Sequence, residues 1–430
     1  MELKSECLNS LQDWLAFIQC SHPSNIELGL DRVLAVWAKM KARKPGRIVI
    51  TVGGTNGKGS TIAAIEAMLL SRGAKVGVYT SPHIHLYNER VRINGSLLED
   101  EQLIEGFRVV ERARGSIPLT YFEFGTLAAL YNFTQLPLDV VLLEVGLGGR
   151  MDAVNIIDPD LSIVTSVDLD HMDWLGDNRE DIGYEKAGIF RAGRHALYGE
   201  SNPPLSVLQF ANAQKVLLKV FGKDFGDLSE GVSDSSKGLT PVVIQTRSGP
   251  VTINLPESLL PRNNLIVAIQ ALATLGLDFS QDEINRVLGS LSVPGRMELL
   301  RESPPLMVDV GHNPHAARFI RSRLAALGKG RKIIAVYSSL MDKDSAGVFN
   351  ELNEVIHEWH LVPLNCDRAK PMAQLTHELA STGSSFITHP SLNHALDLLT
   401  AHANDSVFIL VFGSFYIVEG ARDWMKAHSN

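Results

Sequence analysis

Apolar residues along this chain fall into two alternating rhythms. Leu8, Leu11, Leu15 and Ile18 recur at helical spacing, so the chain opens with an amphipathic helix. Residues 47–52 (RIVITV) form a continuous apolar run of strand length. A Gly-rich turn follows, then a helical stretch at 60–71 that stops at Gly73, then a second strand at 76–80. This is a β-α-β unit. Residues 139–145 and 161–167 are again unbroken apolar runs, as expected of strands covered on both faces. Between 223 and 250 Gly, Ser, Asp and Lys take over, and the segment reads as an exposed, variable excursion of the first domain. Pro294 and Gly295 interrupt the pattern at 291–297. Beyond them it resumes with a strand at 306–310, a helix at 314–327 and strands at 332–337 and 407–412. The expected fold class is α/β: an N-terminal P-loop-type domain with a mostly parallel sheet over 1–293, and a smaller, Rossmann-like C-terminal domain over 297–430.

Length agrees with two domains, because 430 residues exceed the roughly 250–300 at which a single core stops growing. A net charge of −8 argues against a general nucleic-acid footprint. Cys7, Cys20 and Cys366 are too scattered for a disulfide framework or a zinc cage and read as reduced thiols. Glu2, Lys4, Glu6 and Asp13 break any signal-peptide pattern, and no stretch approaches the ~18 apolar residues of a membrane span. A cytoplasmic monomer acting on small molecules is the expectation.

Chemistry concentrates at strand ends. Gly53-Gly54-Thr55-Asn56-Gly57-Lys58-Gly59-Ser60 lies between a strand and a helix. Glycines let backbone N–H groups turn toward a phosphate, the helix N-terminus adds a positive dipole end, and Lys58 adds a point charge. The hydroxyl of Ser60 or Thr61 is within reach of a magnesium ion. The spacing departs from the general G-x-x-x-x-G-K-[ST] pattern. After the next strand, Ser81 offers a hydroxyl, although Ser-Pro by itself reads as an ordinary turn. Glu144 sits late in an apolar strand, where a carboxylate needs a cation or an ion-pair partner. His171 lies between Asp170 and Asp173 directly after a strand, a candidate metal ligand or a surface imidazole. Lys186 reads as a surface charge on a helix. In the second domain, Arg296 brings a guanidinium fork suited to phosphate. Asp309 ends a strand as an acid reading ribose hydroxyls does, or caps the next helix with His312 beside it.

The G-T-N-G-K loop resembles that of the Mur ligase superfamily. The ordered set GTNGKGS, SPHIHLYNERVRING, TYFEFGTLAAL, EVGLGGRMDAVN, DLDHMDWLG, EKAGIF, PGRMELL, DVGHNPHAA, DKD and GSFY is similar to its folate branch, the dihydrofolate synthase/folylpolyglutamate synthase family. That resemblance implies roles at matching positions. Asn56, Gly57, Lys58, Gly59 and Ser60 would hold ATP phosphates, with Asn264, Arg296, Asp309 and His312 as further ATP contacts. Ser81, Glu144 and His171 would bind magnesium, two ions in all. Lys186 would be a further ligand once carbamylated by carbon dioxide. Lys58, His171 and Lys186 would form the catalytic set. Ile26, Glu27, Leu28, Thr120, Tyr121, Phe122, Glu123, Met151, Asp152 and Ala153 would line the pteroate or folate site, with Asp152, Tyr121 and Phe122 facing the pterin. Dependence on a monovalent cation is left open. Gly311 stands where many relatives have Ala.

The implied reaction activates a carboxylate. ATP binds between two domains that close about a hinge at 291–297, the acid attacks the γ-phosphate to give an acyl phosphate, and the amine of L-glutamate displaces phosphate. TYFE at 120–123 and GRMDA at 149–153 favour two activities, on dihydropteroate and on tetrahydrofolates, over polyglutamate synthesis alone. Two rivals remain. A cell-wall ligase would need an N-terminal uridine-nucleotide domain, for which a phosphate loop starting by residue 53 leaves no room. A P-loop switch would leave the second-domain motifs unexplained.

Overall fold

In a computed structural model, residues 8–24, 26–227, 241–328, 330–402 and 404–428 are described. The chain divides into two compact units, 1–258 with 262–291 and 259–261 with 292–430.

The first unit is built on an eight-stranded sheet. Its strands are β1 (Ile48–Gly53), β2 (Val76–Tyr79), β3 (Val91–Ile93), β4 (Ser96–Leu97), β5 (Val140–Glu144), β6 (Leu161–Val164), β7 (His195–Tyr198) and β8 (Leu217–Val220). Their order is β4-β3-β2-β5-β1-β6-β7-β8. β1, β2, β5, β6, β7 and β8 run parallel, and β3 and β4 add an antiparallel edge. Every residue of β2, β5 and β6 is buried, so the sheet is covered on both faces. Val49, Ile50 and Val52 are fully buried, each stabilising the fold by about 1.5–3 kcal/mol, and this fixes the strand that carries the phosphate loop. From β1 the chain moves to one side for β2 and β5 and to the other for β6, β7 and β8. The carboxyl end of β1 therefore lies where strand order reverses, the place where open α/β sheets bind ligands.

The opening helix spans Leu11–Gln19 and is capped by Ser10. It buries Leu11, Trp14 and Ile18, whereas Leu15 is only half-buried, so the apolar face is rotated toward Trp14. The segment 223–250 holds more order than its composition suggests. Residues 228–240 lie outside the described residues, but β9 (Pro241–Thr246) and β10 (Gly249–Asn254) form an antiparallel hairpin. Gly249, at φ +120°, opens the return strand, and Gln270 of the helix Arg262–Thr274 binds both the N–H and the C=O of Gln245. Anchoring to that helix, rather than apolar periodicity, makes these residues strands.

The second unit has six strands: β11 (Glu298–Glu302), β12 (Pro305–Asp309), β13 (Lys332–Tyr337), β14 (Glu358–Leu361), β15 (Phe386–Thr388) and β16 (Val407–Phe412). They are ordered β11-β12-β16-β13-β14-β15, all parallel except β11. Tyr337, Phe349, Trp359 and Phe412 interlock at its centre, with ring centroids 4.9–5.1 Å apart for the closest pairs. Cys20 and Cys366 are free thiols, and Cys7 lies outside the described residues. No helix among the described residues is long and apolar enough to cross a membrane.

Candidate active site

The phosphate loop leaves β1 with Gly54 at φ +140° and enters the helix Lys58–Leu70 with Gly57 at φ +91°. Both glycines are required by space as well as by conformation. A Cβ on Gly54 would lie 1.9 Å from Thr165 Oγ1, and one on Gly57 would lie 2.6 Å from Asn264 Oδ1. Gly59 differs, since a Cβ there would meet nothing within 4 Å. The helix begins two residues earlier than the apolar pattern predicts, so Lys58 and Gly59 belong to its first turn, whose N–H groups have no intrahelical acceptor.

Residues just past β6 brace the loop. Thr55 N–H donates to Ser166 O at 2.9 Å, Asn56 N–H to Ser166 Oγ at 3.0 Å, and Thr165 Oγ1 to Asn56 O at 2.6 Å. Lys58 Nζ lies over the loop and donates to the carbonyls of Gly54 and Thr55 at 3.0 and 3.3 Å. Asn264, on the helix Arg262–Thr274, is buried against Gly57, and its Nδ2 has no hydrogen-bond partner among the described residues.

Neighbouring strand ends bring Ser81 and Glu144 together. The N–H of Ser81, past β2, donates to Glu144 Oε2 at 3.0 Å, and Glu144 is buried at the end of β5. His171 lies past β6 with φ +53°, its backbone N–H held by Asp170 Oδ1 at 2.9 Å and its ring partly exposed.

Lys186 is not a surface charge. It is 4% exposed, on the helix Arg179–Ala187, and burial is the main cause that brings its ammonium down to about 7. The nearby Lys58 charge adds to this, and Asp170 and Asp152 oppose it. The packing that buries it is tight: a Cβ on Gly149 would lie 2.9 Å from Glu185 O, and one on Gly188 2.3 Å from Arg150 Cβ. The sequence signal for this burial was the run of glycines at 146–149 facing a helix that ends in Ala-Gly.

Asp152 lies past β5 and braces the loop with its buried carboxylate. Oδ2 accepts from Gly146 and Leu147 N–H at 2.9 and 2.8 Å, and Oδ1 from Val154 N–H at 3.0 Å. Burial pushes its carboxyl up to about 6, against those three bonds and Lys58. Met151 beside it is half-buried and Ala153 buried. Thr120 caps the helix Tyr121–Thr134 in a reciprocal box with Glu123. Glu123 also pairs with Arg32 at 2.9 Å, and Arg32 reaches Glu27 as well. Arg32, which sequence reasoning missed, thus ties the segment of Ile26, Glu27 and Leu28 to that of Thr120–Glu123. Phe122 packs on Gly146 and lies 6.0 Å from the Tyr79 ring.

In the second unit Asp309 ends β12, buried, with Oδ2 accepting from Met297 N–H at 2.9 Å and Oδ1 from Gly311 N–H at 2.6 Å. It does not cap the next helix; Asn313 does, through Ala316 N–H. A Cβ on Gly311 would lie 2.8 Å from Asp309 Oδ1, so this tight turn and the glycine go together. His312 Nδ1 lies 2.9 Å from Val310 O, and the Arg296 guanidinium lies 5.5 Å from the Phe415 ring centroid.

A glycine-rich strand–helix loop, a buried carboxylate and a buried lysine on a mostly parallel sheet, followed by a second α/β unit, define a class. The model of the Mur ligase middle domain matches residues 52–274, and that of the Mur ligase glutamate ligase domain matches 295–415. The dihydrofolate synthase/folylpolyglutamate synthase of Escherichia coli K12 is 42% identical over 417 residues, 96% of this chain and 95% of its own. That of Haemophilus influenzae is 40% identical, covering 97% and 98%. Among solved structures, E. coli FolC in complex with DHPP and ADP superposes with a TM-score of 0.91 at 40% identity over 98% and 99% of the two chains. The Yersinia pestis bifunctional enzyme with Mn, AMPPNP and L-glutamate bound gives 0.87 at 38% over the whole of both. The chain belongs to the dihydrofolate synthase/folylpolyglutamate synthase family.

Proposed function

We propose that this ligase joins L-glutamate to dihydropteroate and, in a second activity, to tetrahydrofolates, with ATP as the source of driving force. The observation that carries the reading is the buried polar set at the carboxyl ends of β1, β2, β5 and β6, in a chain 42% identical to a bifunctional relative. The residues fit a nucleotide phosphate: Asn264 Nδ2 is buried beside the loop without a partner among the described residues, and Gly57 lets the Asn264 amide approach the loop where a Cβ would stand. They fit a divalent cation as well, since the Ser81 hydroxyl and the Glu144 carboxylate are hard oxygen donors on adjacent strands.

In this reading the loop N–H groups of Gly57–Ser60, with Lys58 and Asn264, hold the phosphates of ATP. Ser81, Glu144 and His171 hold magnesium, which when bound offsets charge on the transferring phosphoryl group. Arg296, Asp309 and His312 serve the nucleotide from the second unit. The acid's carboxylate attacks the γ-phosphorus, ADP leaves, and the glutamate amine displaces phosphate from the acyl carbon. Lys186, held near pH 7 by burial, carries a large fraction of neutral amine. Neutral amine is the form that adds carbon dioxide, and we place a carbamate there as an anionic ligand. Two metal ions, a cytoplasmic setting and a monomeric state complete the proposal.

The test is phosphate release by the purified protein with ATP, magnesium and glutamate. Release that needs glutamate and occurs with dihydropteroate and with tetrahydrofolate is the expected result. Release with tetrahydrofolate alone would reduce the chain to a polyglutamate synthase, and release independent of either acid would overturn the reading.

A further inference from the structure

Between β2 and β3 the chain carries His83, Tyr87 and Arg90, none of which the chemistry so far uses. Arg90 is half-buried and immediately precedes β3. Its Nε donates to His83 Nδ1 at 2.8 Å. Its guanidinium carbon lies 5.4 Å from the Tyr87 ring centroid and 5.6 Å from that of Tyr121. Those two rings meet edge to face at 5.9 Å. Tyr87 is buried, and its hydroxyl stands where Gly125 leaves room, 2.3 Å from the position a Cβ would take.

The charge of Arg90 sets it apart from most half-buried arginines of this unit; Arg179, which among the described residues also lacks a carboxylate pair, donates instead to the carbonyls of Val167 and Asn202. Arg32, Arg92, Arg114, Arg150 and Arg191 are each paired with a carboxylate. Among the described residues Arg90 has no such pair; its partners are an imidazole nitrogen and two phenol rings. Withdrawing a guanidinium partly from water without a counter-charge is costly, so the arrangement is one that an incoming anion completes. With Nε fixed on His83, the Nη1–Nη2 edge remains, a planar fork that matches a carboxylate in bidentate fashion. Tyr121 belongs to the 120–123 segment, and Phe122 next to it packs on Gly146 at the mouth of the Glu144 strand. Aromatic walls with one guanidinium edge suit an aryl carboxylate, the ring lying against the phenols and the carboxylate entering the fork.

We propose that Arg90 is the carboxylate-reading residue of the acid-substrate site, binding the aryl carboxylate of a pteroate through its Nη edge, with His83 as the positioning residue that fixes the guanidinium plane. The inference rests on the folate reading. It separates the two acids chemically. In dihydropteroate the aryl carboxylate is the group that goes on to react. In a folate that position is already an amide, so the fork holds the α-carboxylate of the attached glutamate while the γ-carboxylate reacts farther along the chain.

The experiment compares wild type, Arg90→Ala, Arg90→Lys, His83→Ala and His83→Gln in the phosphate-release assay, with pteroate and its descarboxy analogue as equilibrium ligands in the absence of ATP. With dihydropteroate, Arg90→Ala is expected to raise KM by about tenfold or more and to lower kcat as well. With tetrahydrofolate it raises KM and leaves kcat, and the KM values for ATP and glutamate stay unchanged. Wild type binds pteroate more tightly than the descarboxy analogue, and Arg90→Ala binds both alike. Arg90→Lys, which keeps the charge and loses the fork, retains part of that preference and decides the matter if the alanine variant fails to fold. His83→Gln, whose amide oxygen still accepts from Nε, recovers most of what His83→Ala loses. An arginine variant that keeps the wild-type preference for the carboxylate, or raises the KM for ATP in proportion, overturns the inference. Wild-type phosphate release without acid dependence would instead overturn the folate reading, so the two failures are distinct.

Discussion

Replacing Asn264 with alanine should separate binding of the nucleotide from stability of the fold. Its buried Nδ2 has no partner among the described residues, and freeing the fold of an unsatisfied group of this kind is worth about 1–3 kcal/mol. Loss of the side chain's contacts costs a comparable amount. The net change in unfolding free energy should therefore stay within about 1 kcal/mol. If Nδ2 donates to an ATP phosphate, its removal costs the ~1.5–3 kcal/mol of a hydrogen bond to a charged group, which lowers kcat/KM for ATP by roughly 10–150-fold. Gly57→Ala supplies the reciprocal perturbation. Its φ of +91° costs an L-residue about 1–2 kcal/mol. Its new Cβ, 2.6 Å from Asn264 Oδ1, costs about 1–3 kcal/mol more as the overlap is relieved. In the double variant the three atoms the Cβ meets, Oδ1, Nδ2 and Cγ of Asn264, are gone, so only the conformational cost persists. Denaturant unfolding of the four proteins gives the coupling, and ATP kinetics of Asn264→Ala gives the functional loss. Additive stability effects, or an Asn264→Ala protein with wild-type kcat/KM for ATP, would refute the reasoning.

Other expectations are equally direct. Lys186→Met should abolish ligation while the protein still melts cooperatively. In wild type depleted of carbon dioxide, activity should return faster at pH 8 than at pH 6 when the same concentration of dissolved carbon dioxide is supplied, because the amine titrates at about 7; recovery indifferent to carbon dioxide would remove the carbamate. Gly125→Ala lies mid-helix, where alanine ordinarily gains up to ~1 kcal/mol over glycine, yet it should destabilise by about 1–3 kcal/mol because its Cβ would overlap the Tyr87 hydroxyl at 2.3 Å; a raised melting temperature would contradict this. Buried His360 and His389 share a hydrogen bond of 2.7 Å, with Glu358 on one side of the pair and His394 on the other, and burial holds both below the usual histidine value. The unfolded chain therefore binds protons first, so stability is full above about pH 6.5 and falls as pH drops below it. His389→Phe should flatten that slope in unfolding measured from pH 7.5 to 5.

The chain's alternation of apolar runs was enough to place seven of the fourteen strands of the two larger sheets, β1, β2, β5, β6, β12, β13 and β16, to within three residues, because parallel strands buried on two faces leave an unbroken apolar signature; the other seven, mostly toward the sheet edges, carried no such run. It misread 241–254, whose alternation is interrupted and whose pairing depends on Gln270, a residue of a distant helix. Lys58 and Glu144 were legible since each stands at a strand end beside glycines. Lys186 was not, because the glycines at 146–149 and at 188 hint at close packing without saying what they pack against; that Gly149 meets Glu185 and Gly188 meets Arg150 is fixed only by the tertiary fold. Arg32 and Arg90 escaped for a related reason: what makes each informative is the presence or absence of a carboxylate far away in sequence.

The bridge from Arg32 to Glu27 and to Glu123 bears on how such enzymes can be altered. Whoever transplants the stretch around Ile26 and Leu28 from a relative of different preference moves only part of a unit. An incoming loop without Glu27 would leave the guanidinium and the reciprocal helix cap sharing the Glu123 carboxylate alone, and a host without Glu123 would lose that half of the cap and leave the guanidinium to Glu27. The portable module is therefore defined by three charged residues 96 positions apart at their extremes, Glu27, Arg32 and Glu123, and a graft that respects them carries its own anchor.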